Sequence, residues 1–484
     1  MENGRLYESD TLHEIWPRRR KTLPPYGLAE TPETASGERA WTPGDQPMTP
    51  HLLPDGFAQT AAGLMGDPSG RRVFGATRRA FIGSVVSAVA GLVLGSLRRA
   101  GAKQLVADLQ DAILRLMQSA HIPGLSLAIV RDGQLAHVAG YGWADIEQRR
   151  TMQPETLINL GSVTKTLTCA AVMQWWERQR VSLDADVNDY LPFKVRNPAF
   201  PTVPITVRQL LTHTASIKDG PAYEESYACG DSRQELGQWL RAQLSASGEA
   251  SVVRLNFHPW KPGARWAYSN IAFGLSGYVV ERLANQSYAD YIAEHIFYPL
   301  GMIHSRILLN GMDRSAHATP YTYVADGRAD SVTLRDPRWT PPTHVTGGLQ
   351  VPHCLYSFAT PPDGSARSSA RELARFLMAF MNGGALDGQR ILQSRTVALI
   401  LSDQRVRLPF EPGDKEHITR QGLTWYGLAN MVPDRVLWGH TGGDPGIRTL
   451  MAFDPHERTG VVVLSNSDSG DAVTAVARRL WGAV

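Results

Sequence analysis

Ser162 and Lys165 stand three residues apart in Leu160-Gly161-Ser162-Val163-Thr164-Lys165. A segment of helical spacing follows, in which Leu167, Ala171 and Trp175 recur every four residues. Residues three apart on a helix share a face, with Cβ atoms about 5–6 Å from one another. A serine hydroxyl is a weak nucleophile until a base takes its proton, and a neutral amine can be that base. Burial disfavours the charged form of a lysine, and the positive field at a helix N-terminus favours an alkoxide over an ammonium. The pair is therefore a compact acyl-transfer device. So short a pattern also arises by chance, and it needs partners elsewhere in the chain. Two further signals stand in order behind it: Tyr268-x-Asn270, and His440-Thr441-Gly442-Gly443.

The elements that must carry these residues are legible from periodicity. Leu105, Leu109, Ile113 and Leu116 mark an amphipathic helix. The apolar run Leu125 to Val130, the turn Asp132-Gly133 and the return Gln134 to Gly140 predict a hairpin. Ile205 to Leu211 reads as a capped helix leading into Thr212-His213-Thr214, with His213 a loop anchor rather than a catalytic group. The stretch from about Ser216 to Trp260 is polar and variable in texture, and residues 303–345 read as long loops. Helices are expected over Ile271 to Leu283, Tyr288 to Ile296 and Ser369 to Met381, the last with Leu373, Phe376, Leu377 and Phe380 on one face and a stop at Asn382-Gly383-Gly384. Strands are expected at Val436 to Gly443, Thr449 to Phe453 and Val461 to Asn466, and a final helix from Asp471 to Leu480. Strands at both ends around a helical middle predict an α+β fold: an antiparallel sheet built from both ends of the domain, flanked by helices, with an inserted helical lobe.

Composition narrows the function. Apolar residues make up 43% of the 484 and charged ones 20%, enough for a large core. A net charge of +3, with no basic stripe and no zinc-finger spacing, argues against nucleic acid as a partner. Cys169, Cys229 and Cys354 are too widely spaced for a disulfide framework or a zinc ligand set. Cys169 falls within the helix after Ser162 and reads as a core residue, while a single disulfide stays open. No Gly-x-Ser-x-Gly elbow occurs, which argues against an α/β-hydrolase. Neither a metal nor a cofactor is expected.

Residues 1–76 are rich in Pro, Gly, Thr, Glu and Arg without apolar periodicity and are expected to form a disordered extension. Met48 and Met65 are alternative starts within it. Residues 77–99 follow as Thr77-Arg78-Arg79-Ala80-Phe81, a mildly apolar run to Leu97, and Arg98-Arg99. That pattern is similar to a twin-arginine export signal, with a retained membrane anchor through 80–97 as the alternative. The expected location is outside the cytoplasm, periplasmic or extracellular, with residues 103–484 as the catalytic domain.

Over this last region the chain resembles the serine β-lactamase and penicillin-binding-protein superfamily, most closely its class C-like branch, which also holds esterases and D-amino-acid-specific peptidases. Besides the three signals, the likeness includes Gly140-Tyr141-Gly142-Trp143-Ala144-Asp145, Leu211-Thr212-His213-Thr214, Tyr298-Pro299-Leu300-Gly301-Met302 and Leu464-Ser465-Asn466. The resemblance implies Ser162 as nucleophile, Lys165 as a group that helps take its proton, and Tyr268 as a second base or a proton shuttle to the leaving group. It implies that an adjacent ammonium draws the Tyr268 phenol toward phenolate. Asn270 would orient Lys165 and a substrate carbonyl, the N–H groups of Ser162 and Gly443 would form an oxyanion hole, and Gly442 would let substrate approach the strand that carries Thr441. One departure bears on substrate. Penicillin-directed relatives hold a lysine where this chain has His440, and an imidazole carries little charge at pH 7. The expected activity is a serine hydrolase acting through an acyl-enzyme on an ester, an amide or a D-peptide. A β-lactamase and a non-catalytic penicillin-binding-like sensor or scaffold are the alternatives. The oligomeric state is left open.

Overall fold

A computed structural model describes residues 108–342, 348–404, 418–429 and 431–482. The disordered extension over 1–76 and the export signal or anchor over 77–99 lie outside these residues.

The chain enters through helix α1, residues 108–119, which buries Ile113 and Met117 four residues apart on one face. The hairpin follows as β1 (Gly124–Arg131) and β2 (Gln134–Asp145), with Asp132 at φ 54° and Gly133 at φ 73°. Two consecutive positive φ values match the right-handed twist of paired strands, which is why a two-residue turn here is Asp-Gly. After β3 (Arg150–Thr151) come α2 (Thr164–Glu177), α3 (Asn270–Ala284) and α4 (Ala370–Met381). The C-terminal part adds β4 (Ile418–Gln421), β5 (Tyr426–Leu428), β6 (Leu437–Asp444), β7 (Ile447–Asp454), β8 (Thr459–Ser465) and α5 (Gly470–Gly482).

These strands make one eight-stranded sheet in the order β4-β5-β6-β7-β8-β1-β2-β3. The first hairpin joins the last strand directly: β1 runs antiparallel to β8 from Leu125 opposite Ser465 to Val130 opposite Gly460. The expected α+β sheet built from both ends of the domain is thus what forms. Successive residues of a strand point to opposite faces. Accordingly Val461 and Val463 enter one core with Ile113, Leu127, Val476 and Leu480, while Val462 and Leu464 enter the other with Leu167, Phe273, Phe376 and Trp425. A strand buried on both faces reads as an unbroken apolar run, and β8 does. Helix α4 packs through its predicted stripe, and Ser369 caps it by accepting a hydrogen bond from the Glu372 N–H at 3.1 Å.

The helical middle differs from expectation in detail. The polar stretch after Ser216 holds three short helices, Pro221–Glu225, Leu236–Leu244 and Ala250–Leu255. Within the long-loop region, Tyr321–Val324 pairs with Leu349–Pro352. Strands β4 and β5 extend the sheet beyond the strands expected from sequence. Cys229 and Cys354 form a disulfide across 125 residues, where Ala228–Cys229 pairs with Tyr356–Ser357. Cys169 is buried and free, the core residue it was expected to be.

Candidate active site

Ser162 lies in a short 3-10 turn, Gly161–Val163, at the entry to α2. Gly161 is held at φ +51°, in the left-handed region where a side chain is strained. Its N–H donates to Asn159 Oδ1 at 2.9 Å, and Thr449 Oγ1 on β7 donates to the Leu160 carbonyl at 2.7 Å. A Cβ on Gly161 would stand 2.9 Å from the Gly443 nitrogen, and one on Gly442 would stand 2.1 Å from the Leu160 oxygen and 3.1 Å from the Ser162 nitrogen. The turn and strand β6 therefore touch backbone to backbone, an approach open only to glycine. It brings the Ser162 and Gly443 nitrogens to one junction. Strand β5 pairs with β6 only over Leu437 to Gly439, so the edge from His440 onward is not covered by β5.

Lys165 lies in the first turn of α2, fully buried. Its Nζ is 3.0 Å from Ser162 Oγ, 2.6 Å from Asn270 Oδ1 and 2.9 Å from the Asp363 carbonyl oxygen. The last two partners can only accept. In a neutral amine they take up both N–H bonds, and the lone pair is left facing Ser162. Tyr268, in the loop ahead of α3, donates its hydroxyl hydrogen to Ser162 Oγ at 2.8 Å. Ser162 can thus accept from Tyr268 and donate to Lys165 at once, a chain of hydrogen bonds along which a proton can move.

Asn270 owes its orientation to Asp219. One Asp219 oxygen accepts from Asn270 Nδ2 at 2.9 Å, and the other accepts from the N–H groups of Asn270 and Ile271, each at 2.9 Å. A carboxylate is favoured at a helix N-terminus by both the free N–H groups and the dipole. With Nδ2 committed to Asp219, Oδ1 must face Lys165.

Burial pushes the Lys165 ammonium down to about 8, opposed by the nearby carboxylates of Asp363, Asp219 and Asp444. For Tyr268 the expectation is overturned. Burial raises its phenol well above 10, and the nearby Tyr426, Asp363 and Asp219 add to that, although Lys165 Nζ lies 4.9 Å from the ring centroid. Desolvating a phenolate costs more than one ammonium at that distance returns, so Tyr268 is a phenol at neutral pH.

His213 is the loop anchor it was expected to be, and more. It adopts φ 56°, accepts from the Ser269 N–H at 3.1 Å, and receives the Ala267 N–H on its carbonyl at 2.8 Å. Its ring stacks on Tyr268 at 4.3 Å between centroids. His440 lies on β6. It is 1% exposed, with Nδ1 2.6 Å from the Thr441 oxygen and its ring stacked on Tyr426 at 4.7 Å. Thr441, Gly442 and Gly443 follow it on β6. Ser162, Lys165, Tyr268, Asn270, Gly442 and Gly443 are therefore brought together, while His440 backs the strand through an aromatic stack. Sequence reasoning missed Asp219 and Asp363. Both sit in stretches without a motif, and the pairing that defines each is long-range. Among the described residues no His, Cys, Asp and Glu group is arranged to hold a metal ion.

Residues 109–484 match the family described as Beta-lactamase. Among curated relatives, Protein flp of Staphylococcus aureus (strain MRSA252) is 30% identical over 201 residues, 42% of this chain and 38% of that protein. The alignment thus spans well under half of that relative's length. Penicillin-binding protein 4* of Bacillus subtilis (strain 168) is 24% identical over 339 residues, covering 69% of this chain and 66% of that one. The solved structure of the D-amino acid amidase from Ochrobactrum anthropi SV3, complexed with D-phenylalanine, superposes with a TM-score of 0.59 at 21% identity, covering 78% of this chain and 98% of that one.

Proposed function

The chain belongs to the Beta-lactamase family, and from that premise we propose that it is a serine hydrolase that cleaves ester or amide bonds through an acyl-enzyme on Ser162. The observation that carries this is the Tyr268–Ser162–Lys165 chain of hydrogen bonds, at 2.8 and 3.0 Å, closed behind Lys165 by two acceptor-only partners. Neutral Lys165 takes the Ser162 proton as Oγ attacks the substrate carbonyl. The N–H groups of Ser162 and Gly443 receive the oxyanion, a contact for which a single donor can contribute about 3–4 kcal/mol. When the tetrahedral species collapses, the bond to the leaving group breaks and Tyr268, still a phenol, supplies the proton that group needs. The Lys165 ammonium beneath the ring stabilises the phenolate until the proton is restored. Water then attacks the acyl-enzyme by the same steps in reverse.

On substrate, the site supports uncharged esters, amides or D-peptides over penicillins. His440 stands where penicillin-directed relatives hold a lysine, and Asp219, Asp363 and Asp444 act on Lys165, while the Arg448 guanidinium lies beside Gly443. Without a lysine at position 440, a substrate carboxylate loses the charge-assisted contact that such a side chain would give it. The test is a panel of p-nitrophenyl esters, D-amino acid amides, D-Ala peptides and a chromogenic cephalosporin at pH 7.5. Short esters or amides should lead. His440→Lys should raise kcat/KM for the cephalosporin relative to the ester by about 10-fold, the scale of a new charge-assisted contact. If the ratio stays fixed, His440 only packs.

The Cys229–Cys354 disulfide supports export, because such bonds persist in oxidising compartments. We expect Arg78→Lys with Arg79→Lys to hold the protein in the cytoplasm on cell fractionation. Unchanged export would exclude the twin-arginine route.

A further inference from the structure

We propose that Asp363, which belongs to none of the sequence motifs, is a positioning residue that sets the protonation of Lys165 and with it the pH range in which Ser162 is acylated. The inference rests on the reading of Ser162 and Lys165 given above and adds to it the group that tunes the base.

The geometry is that of a built pair. The short helix Pro361–Gly364 lies over the first turns of α2. There Thr168 Oγ1 donates to the Pro362 carbonyl at 2.6 Å and Lys165 Nζ to the Asp363 carbonyl at 2.9 Å. The same aspartate turns its carboxylate back on the amine, Oδ2 standing 3.9 Å from Nζ with side-chain exposures of 2% and 0%. Tyr223 holds it there, donating its hydroxyl hydrogen to Oδ2 at 2.7 Å. Tyr223 is itself buried, edge-on against Phe358 and Tyr227. The carboxylate is thus held beside the amine and out of contact with solvent. Charges so buried are little screened.

The other carboxylates act on Lys165 in the same direction but more weakly. Asp219 reaches it through Asn270 and spends its oxygens on the start of α3. Asp444, on β6, accepts from Tyr227 at 2.7 Å. Tyr268 and Ser162 are neutral. Phe273 presents only its ring face. Facing Asp363 are Lys165, Thr360, Tyr223 and the more distant Asp219, and burial raises its own carboxyl to about 7, so the charge acts on Lys165 above that pH. Asp363 is first among the groups that oppose the burial of Lys165. Burial alone would strip the proton from the lysine at lower pH, and the aspartate keeps it on. The enzyme should therefore gain activity only as the pH rises through the value at which that proton leaves.

The experiment is the pH dependence of Ser162 labelling by a fluorophosphonate, and of kcat/KM for a p-nitrophenyl ester, from pH 5 to 9.5. Asp363→Asn keeps the shape and the backbone carbonyl but removes the charge. Its ascending limb should move to lower pH, so that between pH 7 and 8, where the parent carries the Asp363 charge, the rate relative to that at pH 9.5 rises several-fold. Tyr223→Phe weakens the carboxylate by removing its donor and should move the limb the same way by less. It also carries the test if Asp363→Asn does not fold. A limb that stays in place in the folded variants, with the rate falling evenly at every pH, would make Asp363 a packing residue and overturn the proposal. If the parent is not labelled at Ser162 at all, the reading of the nucleophile has failed, and the proposal falls with it for that separate reason.

Discussion

Ser162→Ala should abolish labelling by a fluorophosphonate probe and lower kcat by about 10⁴-fold or more, the scale seen when the nucleophile of a catalytic unit is removed. The effect is large because no neighbouring group can replace the lost oxygen. Asn270 and the Asp363 carbonyl, the other polar partners of Lys165, are not nucleophiles, and Tyr268 is a phenol held above its ordinary titration range by burial. The fold should be indifferent to the change. Ser162 is anchored by its turn, through Asn159 and Thr449, rather than by its own hydroxyl. Intact mass after exposure to the probe is the measurement. Equal labelling of the alanine variant would remove Ser162 from its role.

Replacing Lys165 should cost nearly as much, at least about 10²-fold and toward 10⁴-fold, as expected of a general base. The choice of variant separates base from charge. Lys165→Arg keeps a cation but not one that can lose its proton, so it should fall as far as Lys165→Ala. In the parent, burial places the ammonium near 8. Below that value the protonated fraction dominates, and kcat/KM should rise about tenfold per pH unit before levelling above it. Both variants should lose this limb. A Lys165→Arg enzyme with parent-like activity would assign the amine an electrostatic part and leave the base elsewhere. Some loss of stability should accompany Lys165→Ala, because a buried Asp363 carboxylate is then left without its cation.

Local pattern decided a good deal of this protein. Asp132-Gly133 demanded a hairpin because few other pairs accept two positive φ values. The stripe Leu373, Phe376, Leu377 and Phe380 demanded a helix with one buried face. Ser162 and Lys165, three residues apart, fall on one side of the chain as the 3-10 turn runs into α2. The sheet from both ends followed from where apolar strands lay along the chain. These are short-range consequences of backbone geometry and of period, which a sequence displays directly.

What only tertiary structure decided is of another kind. The pairing of Cys229 with Cys354 and that of Tyr321–Val324 with Leu349–Pro352 exist because neighbours far along the chain complete them. Asp363 meets Lys165 across 198 residues, and Asp219 turns Asn270 across 51. Neither aspartate differs, as a letter in the chain, from any solvated one. The state of Tyr268 was misjudged for the same reason. Spacing shows which groups are near in sequence, but the direction of a titration depends on how much water the fold removes from around the ring. Burial is a property of the packed molecule, and it was burial that raised Tyr268 and lowered Lys165.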